Sequence, residues 1–140
     1  MRIAGSVWIV SHSDTVGVVV LDDEGNRITK RLVEGGKLNN KVIKEQFLLN
    51  GSETSNLLTI LARPNEDRKI EMAKCFIPFH AVIWKSKGKL LWLEISFDCN
   101  RIAASKELSI SESDFDERKW KELLDFYKHK GIAYNLKCMN

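Results

Sequence analysis

Cys75-Phe-Ile-Pro-Phe-His80-Ala-Val-Ile-Trp84, then Lys85-Ser-Lys-Gly-Lys89, then Leu90-Leu-Trp-Leu-Glu-Ile-Ser-Phe-Asp-Cys99, is the stretch on which the fold turns. Phe79 to Trp84 and Leu90 to Phe97 are rich in β-branched, aliphatic and aromatic residues, and the lysines and glycine between them suit a turn. A three-residue loop at Ser86, Lys87 and Gly88 predicts a hairpin with His80 opposite Glu94, Val82 opposite Trp92 and Trp84 opposite Leu90. Cys75 then comes level with Cys99, and Ala81, Ile83, Leu91, Leu93, Ile95 and Phe97 make the core face. A slip of one residue would reverse every face. Pro78 has no N–H to give a ladder, so pairing near Cys75 is expected to be irregular or at an edge.

The first half reads as a meander of strands at Ser6 to Ser11, Thr15 to Leu21, Arg27 to Val33 and Val42 to Leu49. Val18-Val19-Val20 marks a buried strand, Asp22-Asp23-Glu24-Gly25-Asn26 is turn chemistry, and Glu34 to Asn40 breaks the chain again. A helix follows, with Ser52 as the expected N-cap and Leu57, Leu58 and Leu61 on one face; Arg63-Pro64 ends it. The chain turns extended again from Ile70. Near the C-terminus, Ser113-Asp114-Phe115-Asp116 opens a second helix whose Trp120, Leu123, Leu124 and Tyr127 recur at helical spacing. Lys128, His129 and Lys130 suit its dipole, Gly131 its C-terminal cap, and Ile132 can pack back on its end. This order predicts one α+β domain over residues 1–140, a mainly antiparallel sheet of about six strands carrying two helices.

Composition narrows the function. The net charge of +3 comes from 22 basic and 19 acidic residues interspersed along the chain, unlike a nucleic-acid footprint. Lys85, Lys87 and Lys89 cluster at the hairpin turn; with Arg101 they are the surface through which nucleic acid would bind if it bound at all, and none is expected. No run reaches the roughly 20 apolar residues of a membrane helix. The N-terminal run reads as a strand and not as a signal peptide, so the expected location is cytoplasmic, or periplasmic if a leader has been removed. An odd cysteine count, Cys75, Cys99 and Cys138, argues against a disulfide scaffold and for reduced thiols. Glycine-rich nucleotide motifs are absent, and His12-Ser13-Asp14 is too local to form a hydrolase triad.

Cys75, His80 and Cys99 are the candidate site, and three uses compete. Two thiolates and an imidazole could hold zinc, with Asp98 as a fourth ligand, although the tight C-x2-C pairing of structural zinc sites is missing. Cys75 beside His80 could act as nucleophile and base, or Cys75 could bridge to Cys99. In the third and favoured reading the three residues pack the hairpin, with His80 held by Glu94 or a carbonyl.

The pattern Cys75, Pro78, His80-Ala81-Val82, Trp84, then Gly88-Lys89, then Glu94-Ile95-Ser96-Phe97-Asp98-Cys99-Asn100-Arg101 resembles a signature of small, largely uncharacterised bacterial proteins. Ser96 departs from it, standing where that signature has a further cysteine. The resemblance implies a bacterial origin, in a class where small α+β proteins often serve as cognate partners. The expected function is therefore non-catalytic protein binding, as an immunity protein that neutralises a toxin encoded nearby. The alternative is a small zinc- or thiol-dependent protein. A homodimer is expected if Trp8 or Trp84 lies on an exposed edge.

Overall fold

The computed structural model describes residues 15–21, 32–63, 76, 78–86, 88–108 and 110–132. In chain order they form β1 (Thr15–Leu21), β2 (Val33–Glu34), β3 (Lys37–Leu38), β4 (Ile43–Leu48), α1 (Gly51–Ala62), β5 (His80–Ser86), β6 (Lys89–Ser96), β7 (Arg101–Ala104) and α2 (Glu117–His129). Short 3-10 turns stand at Asn40–Val42, Lys106–Leu108 and Glu112–Asp114. The architecture is α+β. Five strands form one antiparallel sheet in the order β4-β1-β5-β6-β7, and β2 with β3 forms a separate ribbon. The expected strands at 6–11 and 27–31, the chain from Pro64 to Cys75, and Trp8 lie outside the described residues.

Among the described residues the first half does not run as the expected meander. β1 lies between β4 and β5, so its neighbours come from farther along the chain. Its valines explain the central place: Val18 and Val19 are both fully buried, and they point to opposite faces. On one face Val18 joins Val82, Trp84, Leu91, Leu93 and Ile95 beneath both helices. On the other, Val19 joins Ala81 and Ile83 beneath Leu32 and Val42, with Val33 and Leu38 of the ribbon packed alongside. The loop expected at Glu34 to Asn40 thus contains part of a small second layer.

The hairpin is present, but one residue tighter than expected. His80 faces Ile95, Ala81 faces Glu94, Val82 faces Leu93 and Trp84 faces Leu91, so Ser86 and Lys89 close a turn of two residues. Gly88 sits at φ +78, where a side chain is strained. A Cβ there would meet no atom within 4 Å, leaving backbone strain as the whole cost. Gly88→Ala should therefore destabilise the domain by about 1 kcal/mol, measurable as a lowered urea midpoint with unchanged slope.

Both helices carry their own caps. Asn50, not Ser52, caps α1: its side chain accepts from Glu53 N–H at 2.8 Å, and the Glu53 carboxylate accepts from Asn50 N–H at 3.0 Å. Asp116 caps α2 by accepting from Lys119 N–H. At its other end Ile132 N–H reaches Tyr127 O and Gly131 N–H reaches Lys128 O, a Schellman closure with Gly131 at φ +86. Trp120, Leu123, Leu124 and Tyr127 are all buried, as their spacing predicts.

β7, short and unforeseen, forms one edge of the sheet. Glu112 covers it, accepting two bonds from the Arg101 guanidinium at 2.8 and 3.2 Å and a third from Ile102 N–H. Arg101 holds the Glu112 carboxyl below its ordinary 4.5. The unfolded chain binds that proton more tightly, so this contribution is complete above 4.5 and is lost as pH falls through the lower folded value. Thermal unfolding below pH 4.5 should accordingly depend less steeply on pH in Glu112→Gln than in the wild type.

Candidate functional site

His80 opens β5 on the helix-covered face and is 1 % exposed. The tighter register separates it from Glu94, which faces Ala81 and belongs to the opposite side of the sheet. The His80 ring instead meets two aromatic rings edge-on, Phe97 at 5.4 Å and Tyr127 at 5.1 Å between centroids. Phe97 continues the stack to Trp120 at 5.8 Å, and Trp120 to Phe115 at 5.0 Å. Offset and edge-to-face pairs of this kind add to the stability that burial supplies. The Tyr127 hydroxyl donates to Ala81 O at 3.1 Å, tying α2 to the start of β5. Complete burial holds that hydroxyl's pKa well above the tyrosine range, keeping it a neutral donor.

Cys99 is buried in the turn after β6 and is disulfide-bonded, contrary to the reduced thiols expected from the odd count. Its sulfur is therefore not a thiolate in this structure, and zinc needs thiolate. Cys75 and Cys138, the other cysteines of the chain, lie outside the described residues, so the level of Cys75 against Cys99 is not described. Asp98, the expected fourth ligand, is exposed while its neighbour Cys99 is buried. Among the described residues no three His, Cys, Asp or Glu side chains are grouped to hold a metal. Ser96, where the resemblance places a cysteine, is fully buried and faces Arg101 across the β6–β7 turn.

Lys119 is the polar residue that sequence reading missed. It has no exposure, donates from Nζ to Leu61 O at 3.0 Å, and lies 5.2 Å from the Phe115 ring centre. Its ammonium closes one of the open carbonyls at the end of α1, where the helix dipole favours positive charge. Burial lowers its pKa, Asp114 and Asp116 raise it, and Arg63 lowers it further. Arg63 in turn pairs with Glu122 of α2. A signal was available: Lys119 lies four residues before Leu123 and seven before Phe126, on the buried stripe.

Two hollows stand out among the described residues. One, of about 310 Å³, lies between the helices, where Glu53, Glu122, Asp125 and Lys130 line it. Two of its carboxylates are already matched: Lys130 bonds both Glu53 oxygens, and Glu122 pairs with Arg63 and Arg118. The other, of about 440 Å³, opens where the ribbon meets the turn end of β5 and β6, with Lys37, Lys85 and Lys89 among its lining residues. Arg101 is far from this group along the hairpin, facing Ser96 while Lys89 faces Ser86. Trp84, whose exposure would favour a homodimer, is completely buried. No helix among the described residues is long and apolar enough to cross a membrane. No protein-family model, curated protein or solved structure matches the chain.

Proposed function

We propose that this is a non-catalytic bacterial protein-binding domain, an immunity protein that neutralises a cognate toxin by direct contact. The observation that carries the reading is the lysine-lined hollow of about 440 Å³, because most of its lining residues stand on strands β3, β4, β5 and β6, and the sheet is braced by packed residues on both faces. Rigid elements present a binding surface with little ordering cost. The buried polar groups support the same reading: Lys119 closes α1 and Tyr127 anchors α2 to β5, so each serves the fold. Bacterial origin rests on the resemblance of the Cys75–Arg101 pattern. The Cys99 disulfide favours an oxidising compartment, the periplasm over the cytoplasm. Co-expression with the products of adjacent genes tests the proposal. A stoichiometric complex that suppresses the neighbour's toxicity is expected, and free migration of every neighbour on gel filtration would sink it.

The disulfide also favours one branch of a second reading, in which Cys75, His80 and Cys99 support thiol chemistry and not zinc binding. Metal analysis of reduced protein, beside Cys75→Ser, separates the branches. Stoichiometric zinc lost in Cys75→Ser would restore the metal site; absence of zinc with altered thiol reactivity would support thiol chemistry.

A further inference from the structure

We propose that the hollow between the ribbon and the β5–β6 turn takes an extended segment of a partner protein in which carboxylates flank an aliphatic side chain. This rests on the protein-binding part of the function proposed above and names the chemistry of the partner. Lys37 comes from β3, Lys85 from β5 and Lys89 from β6, so three separate strands bring ammonium groups to one opening. All three are exposed, and its remaining polar side chains, Asn40 and Gln46, carry no charge. Glu34 faces Lys37 across the ribbon but does not line the hollow, and its Oε1 accepts from Asn39 Nδ2 at 3.3 Å. Like charges gathered without a lining carboxylate repel, and an acidic ligand relieves that repulsion.

Leu38 and Leu90 supply the apolar part. Both line the hollow, both are half-buried, and both pack against the second core. An aliphatic side chain laid on them continues that core outward, while flanking carboxylates reach the lysines. Nucleic acid fits less well: single strands are held by aromatic stacking platforms, and no aromatic side chain lines this hollow. Arg101, which would lengthen the basic surface, is at the far end of the hairpin and bonded to Glu112.

The test is fluorescence anisotropy on the whole protein with labelled acetyl-Asp-Glu-Leu-Asp-Glu-amide. Three control probes accompany it: the Asn/Gln analogue, a Leu-to-Ser analogue and an oligothymidylate of equal charge. Saturable binding of the acidic peptide is expected, weakened by salt and lost in Lys85→Glu/Lys89→Glu. The Leu-to-Ser probe should bind about tenfold more weakly, the loss of one buried aliphatic contact. Lys37→Glu, on a different element, should weaken binding too, and unchanged thermal unfolding of both variants shows that the fold is intact. Absence of peptide binding, equal binding by folded charge-reversed variants, or tighter binding of the oligothymidylate overturns the proposal. A neighbouring protein that binds wild type and Lys85→Glu/Lys89→Glu equally well removes the hollow as the interface but keeps the binding function. Peptide binding without any neighbour partner keeps the hollow and removes the toxin reading.

Discussion

Trp84→Ala is expected to lower the unfolding free energy by about 3–5 kcal/mol, the range for deleting a fully buried large aromatic side chain. Trp84 has no exposure and belongs to the core beneath the helices. It stands on β5, between Val16 of β1 and Leu91 of β6, so its indole cannot be replaced by movement of a free edge. The lost transfer energy adds to the cost of a cavity that a hydrogen-bonded sheet closes only partly. Domains of this size have stabilities of about 5–15 kcal/mol, so the variant should be partly unfolded in mild urea. Trp84→Phe, which keeps most of the volume, should lose less. Equilibrium urea unfolding followed by far-ultraviolet circular dichroism provides the measurement. A loss under about 1 kcal/mol would place Trp84 outside the packed core.

Lys119→Met should cost about 1.5–3 kcal/mol at neutral pH, because Leu61 O loses a charge-assisted donor while the aliphatic stem is largely kept. The pH dependence distinguishes this from ordinary packing. Burial sets the folded pKa of Lys119 below its ordinary 10.5, with Asp114 and Asp116 opposing and Arg63 reinforcing that shift. Between the folded value and 10.5 the unfolded chain holds more protons, so this group makes stability rise with pH through that window. Tyr127, present in both proteins, acts the other way as pH rises through 10.0, where the unfolded chain loses a proton that the folded state retains. Urea midpoints at increasing pH, up to 10.0, should therefore rise more in wild type than in Lys119→Met. Parallel profiles would show that the amine is solvated.

Neither residue announces its role by type alone, and the contrast between the two helices and the hairpin shows why. α2 is legible because one stripe, Trp120, Leu123, Leu124 and Tyr127, alternates with charge at a helical period. Its closing Gly131 and the packing of Ile132 are equally local. The N-cap of α1, expected at Ser52, is Asn50 instead, fixed by its reciprocal bonds with Glu53. The hairpin was legible as a hairpin, but not in register. Val82 and Trp84 on one face and Ala81 and Ile83 on the other are all buried, so alternation carries no preference for either side.

The candidate site shows the same division. Sequence placed His80 in the hairpin and assigned it to packing, and its burial against Phe97 and Tyr127 agrees with that assignment. Glu94 as its partner depended on the register and fell with it. The lysines at the turn were visible, but only the ribbon's return over the second face adds Lys37 and the floor of Leu38. Local periodicity and capping determined the two helices, the buried Val18 and Val19 of β1 and the existence of the β5–β6 hairpin, since those signals act within a few residues. Tertiary structure decided the place of β1 between β4 and β5, the face taken by His80 and Trp84, the burial of Lys119 and the assembly of the lysine hollow. Each of these depends on residues distant in the chain meeting across a sheet or helix pair, where packing and desolvation choose among arrangements that local sequence leaves equal.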